Sequence, residues 1–117
     1  MSQKQTGSSI KDLPAFKNLS EKNFKDFLTN CKKLSFSMGQ PISNKGMLGQ
    51  YVFILLEGQA RLISEINNQT ITICKFSPGS FIGISSLLRG EGYEEVSAIE
   101  NSKALAIPAE KIIELYQ

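Results

Sequence analysis

Between Ser77 and Glu100 the chain reads SPGSFIGISSLLRGEGYEEVSAIE, and here residue types and spacing point most directly to chemistry. The Pro78-Gly79 turn and Gly83 lead into a short run that opens on Ser85 and Ser86 and ends near Arg89. Backbone N–H groups at a glycine turn running into a helix point outward and hold anions, so Gly83, Ser85 and Ser86 form a candidate nest for a phosphate-like group. Arg89 is the one basic residue of the stretch, while Glu94 and Glu95 stand where a bound phosphate would want a cation. The frame of an anion site is present and its charge is reversed.

Catalytic readings of the same residues lack their partners. Gly83-Ile84-Ser85-Ser86-Leu87 has the beginning of a nucleophile turn, but that motif needs a second glycine and a histidine, and the chain contains no histidine. Glu94 and Glu95 are adjacent, so in a strand they point to opposite faces and cannot share a substrate. No GxxxxGK[ST] phosphate loop occurs. Cys31 and Cys74 are isolated, which removes zinc and thiol–imidazole chemistry, and both are expected to be small buried hydrophobes. The segment is expected to be non-enzymatic, with no catalytic residue, no metal and no cofactor of its own.

The elements that must position the nest follow from periodicity. Residues 1–10 are polar and predict a disordered leader, followed by a helical turn near Leu13–Lys17. Ser20 then caps a helix in which Phe24, Phe27, Leu28 and Cys31 recur at i, i+3, i+4 and i+7, one apolar face. After Lys33 the period falls to two, predicting a strand to about Met38. YVFILLEG is a buried strand, QARLISEI is its expected hairpin partner, and TITICKF follows an Asn67-Asn68 turn. EVSAIE and KALAIP predict two more strands, and Pro108 starts a final helix whose apolar residues are Ile112, Ile113 and Tyr116. Seven or eight short strands with helices at both ends predict a mainly β jelly roll of two packed antiparallel sheets. Val52, Ile54, Leu56, Ile71 and Ile73 are expected inside it, and Ser85–Arg89 is the expected short helix within it.

Bulk properties narrow the setting. A chain of 117 residues, 41% hydrophobic and 21% charged, fits one globular domain. The longest apolar run, Val52 to Leu56, is far too short to span a bilayer, and the polar N-terminus has no secretory signal, so a cytoplasmic location is expected. Net charge is +2, with the basic excess in residues 1–33. That excess is read as a solvated helix surface, with no direct nucleic-acid partner and no membrane insertion.

An ordered set of turns carries a resemblance. Gly39-x-Pro-Ile, Gly46-x-x-Gly49, VFILLEG ending at Gly58, and Pro78-Gly79-Ser-Phe81-x-Gly83 together resemble the cyclic nucleotide-binding domain, over roughly Phe16 to Gln117. That family includes catabolite-activator-type regulators, protein kinase A regulatory subunits and cyclic-nucleotide-gated channels. In the cassette it resembles, the glycine and helix-start amides hold the cyclic phosphate, a Glu takes the ribose hydroxyl and an Arg pairs with the phosphate. Here Gly83 matches the glycine and Ile84 stands at the Glu position. The Arg position falls on Gly92 or Tyr93, and the small residues after it become Glu94 and Glu95. The resemblance thus implies a candidate site of Gly83, Ile84, Ser85, Ser86, Arg89, Gly92, Tyr93 and Glu94, with a cyclic nucleotide or another small anion as its ligand. A narrower likeness, in IGISSLLRGEGYEEV and LAIP, is to the amino-terminal domains of some cyanobacterial ABC-type exporters of toxins or peptides.

Three functions follow. The leading one is a regulatory sensor domain cut from a longer polypeptide, with downstream domains of the same chain as partners and the segment from Pro108 as its moving element. The others are the sensor half of a transcription regulator, and a protein-interaction module that keeps the fold without a nucleotide. Pairing of two copies through the terminal helix is a further expectation.

Overall fold

Why Val52–Leu56 is apolar at every position is answered by where its strand lies. The computed structural model describes residues 10–14, 16–43, 51–84 and 95–115. Among the described residues eight strands form, in the order β1 (Lys32–Phe36), β2 (Pro41–Ser43), β3 (Tyr51–Glu57), β4 (Ala60–Ile66), β5 (Gln69–Phe76), β6 (Phe81–Ile82), β7 (Val96–Ala98) and β8 (Ser102–Pro108). Helix α1 (Glu21–Thr29) precedes them and α2 (Ala109–Leu115) follows. Two four-stranded antiparallel sheets result, β1-β8-β3-β6 and β2-β7-β4-β5. The expected roll of two antiparallel sheets with flanking helices is the fold observed.

The first sheet is covered on both faces. Val52, Ile54 and Leu56 of β3, with Leu105 and Ile107 of β8, pack under the helices against Phe16, Phe24, Phe27 and Ile112. Their neighbours Phe53, Leu55, Ala104 and Ala106 face the other way, into the roll, and meet Ile42, Ala60, Ile82, Val96 and Ala98. Alternation therefore produces a continuous apolar run, because each face has its own core. Phe16, fully buried, ties the helical layer together, with ring centroids 5.7 Å from Phe24, 5.1 Å from Phe27 and 6.3 Å from Phe81.

Local chemistry explains the ends of the elements. Ser20 Oγ accepts the Asn23 N–H at 3.1 Å and caps α1, and Glu21 complements the helix dipole in the first turn. The turn before α1 is a chain of i to i+3 bonds, Leu13 N–H to Ile10, Phe16 N–H to Leu13 and Leu19 N–H to Phe16. Lys11 Nζ donates to the Phe16 carbonyl at 3.1 Å and sits 6.0 Å from the Phe24 ring centroid. Asn67 and Asn68 have φ of 54° and 65°, the signature of the tight β4–β5 turn expected there. Ser80 N–H bonds the Ser77 carbonyl across Pro78-Gly79, with φ +96° at Gly79, as a type II turn requires.

Several expectations are corrected. β4 is not the hairpin partner of β3: the two lie in different sheets, and β4 pairs with β5 and β7. Ile71 (37% exposed) and Ile73 (56%) are not core residues, because the β4–β5 hairpin is exposed along most of its length. Cys74 is likewise exposed, and Cys31 is half-buried just past the end of α1. The Cys31 thiol bonds the Phe27 carbonyl at 3.4 Å, and burial pushes its pKa up to about 11. Ile10, within the expected leader, is buried among the helices, whereas residues 1–9 lie outside the described residues. Of the final helix's apolar residues, Ile112 is buried and Ile113 is 47% exposed. Gly46, Gly49 and Tyr116 lie outside the described residues.

The crossing from β3 to β4 depends on Gly58, at φ +92°. A Cβ there would meet the Ser102 hydroxyl and come 2.7 Å from the Asn101 carbonyl oxygen, which is backbone and cannot swing away. Ser102 is itself fixed, donating to the Glu100 carbonyl at 2.8 Å. Gly58→Ala is therefore expected to cost about 2–3 kcal/mol and to lower Tm by roughly 10 °C. A thermal melt within a degree or two of the parent would show that the turn relaxes freely.

Candidate ligand-binding site

The nest expected from the sequence starts at Gly83, just after β6, and the described residues show how the chain reaches that point. β6 pairs with β3, Phe53 opposite Ile82 and Ile54 opposite Phe81. Phe81 accordingly joins the helix-side core and Ile82 the interior of the roll. Strict alternation would put Gly83 on the helix side and Ile84 inside. Gly83 breaks that pattern with φ +93°, and Ile84 packs against the helix-side cluster with Phe81. A Cβ at Gly83 would lie 3.5 Å from the Tyr51 carbonyl oxygen, an ordinary contact, so conformation and not space demands glycine here.

That reversal sets what the first cassette residue can do. Ile84 shares one apolar cluster with Ile112 of α2 and with Phe16, Phe24 and Phe27 of the helical layer. It offers no acceptor to a ligand hydroxyl, and its side chain is occupied in packing. Ser85, Ser86, Arg89, Gly92, Tyr93 and Glu94 lie outside the described residues, as does the expected Ser85–Arg89 helix.

On the far side of the cassette the chain returns at Glu95, whose carbonyl accepts the Ile63 N–H at 2.9 Å. Val96 is fully buried inside the roll, so alternation sets the neighbouring Glu95 toward the outer face of the second sheet. Of the two glutamates, Glu95 is thereby placed away from the interior. Among the described residues no group of three or more His, Cys, Asp or Glu could hold a metal ion, and no helix is long and apolar enough to cross a membrane. Sequence reasoning did not find the packing of Ile84 against the helix-side cluster. Its signal was present in FIGI, where a glycine interrupts an apolar run and so reassigns the faces after it.

A positive-φ glycine turn at the end of a strand, in a roll of two antiparallel sheets packed against a helical layer, defines the architecture as a β-roll domain. The profile of the cyclic nucleotide-binding domain matches residues 33–117, and the chain belongs to that family. It is 29% identical over 108 residues to the cyclic AMP receptor protein of Thermus thermophilus, covering 91% of this chain and 50% of that protein. The chain thus spans about half the length of this curated relative. The crystal structure of the Thermus thermophilus catabolite activator protein superposes with a TM-score of 0.72 at 29% identity, over 87% of this chain and 49% of that one. The regulatory subunit of a cAMP-independent protein kinase A from Trypanosoma cruzi, bound to guanosine, gives a TM-score of 0.79 at 18% identity, over 92% of this chain and 38% of that one. At that identity the likeness is one of fold.

Proposed function

We propose that this chain is a non-catalytic regulatory domain, working in the cytoplasm, whose cassette senses a small anionic ligand and reports through the terminal helix. The observation that carries the reading is the packing of Ile84. The first residue after the Gly83 turn packs against the apolar cluster that also holds Ile112, so a ligand that moves the cassette entry disturbs the cluster on which α2 rests. Coupling of this kind needs differential contacts in two states, and the apolar cluster on which both Ile84 and Ile112 pack is the place for such a difference to arise.

For the larger protein, attachment to an ABC-type exporter rests on the wording of the cassette and of LAIP. The likeness to the cyclic AMP receptor protein across 91% of the chain favours a second reading, the sensor half of a transcription regulator. Flanking gene sequence separates them, since membrane spans favour the exporter and a helix-turn-helix the regulator.

The sensing proposal is tested by hydrogen exchange at Ala109–Leu115 during titration with cyclic nucleotides and inorganic phosphate. Exchange in α2 is expected to change as the cassette fills. A helix indifferent to every one of these at millimolar concentration would overturn the sensor reading in favour of a ligand-free interaction module.

A further inference from the structure

The outer face of the second sheet carries a groove of about 380 Å³ between the Met38-Gly39 turn and strands β7, β4 and β5. Strand register builds one row across it. Ser97 of β7 is opposite Arg61 of β4, and Arg61 is opposite Lys75 of β5. The flanking rows, Ala98-Ala60-Phe76 and Val96-Leu62-Cys74, include the residues packed inside the roll, so this row faces out. Two cations therefore stand directly opposite each other on a sheet, an arrangement that is destabilising by itself.

Nothing among the described residues neutralises them. The groove is lined by two cations and two hydroxyl side chains and by no carboxylate. Ion pairs among the described residues, Lys103 with Glu57 and Lys111 with Glu114, involve neither cation. Glu65 and Glu95 share this face by alternation, and neither comes within ion-pair distance of Arg61 or Lys75. One guanidinium nitrogen, Nη1 of Arg61, donates to Thr72 Oγ1 at 3.0 Å, which holds the fork and leaves the Thr72 hydroxyl hydrogen free to donate. Ser97 Oγ donates to the Gly39 carbonyl at 3.3 Å and is fixed at the groove's other edge.

We propose that this groove binds a doubly charged oxyanion, a phosphate monoester or pyrophosphate group, between Arg61 and Lys75 with the Thr72 hydroxyl as a third donor. Guanidinium and ammonium donors make charge-assisted bonds to such groups, and the bound charge offsets the repulsion between the two side chains. This site is separate from the Gly83 turn and stands whether or not that turn binds anything.

The probe is inorganic pyrophosphate, titrated into isotope-labelled protein at low salt and followed by NMR at the Arg61 and Lys75 side chains, Thr72 and Gly83. Saturable shifts are expected at Arg61, Lys75 and Thr72, with acetate far weaker than pyrophosphate. Arg61→Gln with Lys75→Gln should weaken that response at least about tenfold. A control pair, Lys32→Gln with Lys33→Gln on the exposed edge strand β1, should leave it unchanged. The proposal is overturned if shifts appear at Gly83 alone, if acetate equals pyrophosphate, or if the control pair weakens binding as much as the test pair. The substituted side chains lie on the outer face, and an unchanged amide spectrum elsewhere confirms that the variants fold.

Discussion

Replacing Ile112 by aspartate is expected to cost about 4 kcal/mol, on the order of half the stability of a domain this size. Ile112 is 1% exposed and packs with Ile10, Phe16, Phe24, Phe27, Ile54 and Ile107 between α2 and the first sheet. Aspartate removes most of that apolar contact and leaves a carboxyl group in a cluster made of hydrocarbon. Ile113, one residue on and 47% exposed, is the internal control: Ile113→Asp should change stability by less than about 1 kcal/mol. Chemical denaturation of both variants is the measurement. Equal midpoints would mean that α2 is not anchored by Ile112, and the route from cassette to helix would then lose its endpoint.

The same pair of residues shows what could be read from the sequence and what could not. That the final helix has an apolar face is legible in the i, i+1 and i+4 placing of Ile112, Ile113 and Tyr116. Which part of that face meets the roll is not, because the angle of a helix on a sheet is set by residues far away in sequence. The strands were legible for a local reason, since period-two runs punctuated by glycine and asparagine turns leave few alternatives. Their pairing was not, and QARLISEI was joined to the wrong neighbour. A glycine at a strand end looks the same whether it closes a hairpin or carries the chain to another sheet, and Gly58 does the second.

Alternation by itself does not establish an interior, as Ile71 and Ile73 show. TITICKF alternates as a half-buried strand should, yet β5 is an edge strand with one sheet neighbour and is exposed through Lys75. At the end of β6 the special backbone conformation was legible, because the φ of +93° at Gly83 is a demand that residue type reveals. The fate of Ile84 was hidden, since whether an apolar side chain faces ligand or core depends on the face reversal that the turn imposes.

High-affinity binding of cyclic AMP is expected to be absent, with affinity two to four orders of magnitude below that of an intact site of this type. A charge-assisted hydrogen bond to phosphate contributes about 1.5–3 kcal/mol, and neither Gly92 nor Tyr93 brings a cation to the position where the family resemblance places its arginine. Ile84 makes no bond to a ribose hydroxyl, which removes about 1–2 kcal/mol more. Packing of Ile84 into the helix-side cluster also means that a single Ile84→Glu exchange should not restore that bond, since the side chain leaves the turn away from the interior. Summed, the losses are roughly 2.5–5 kcal/mol, and 1.4 kcal/mol is tenfold in affinity. The backbone turn at Gly83 does not depend on those side chains, so weak binding of small anions there is expected to persist. Titration calorimetry with cyclic AMP and cyclic GMP measures the difference directly. Low-micromolar binding that disappears in Arg89→Ala would reverse the conclusion and make Arg89 the phosphate's partner in place of the missing arginine.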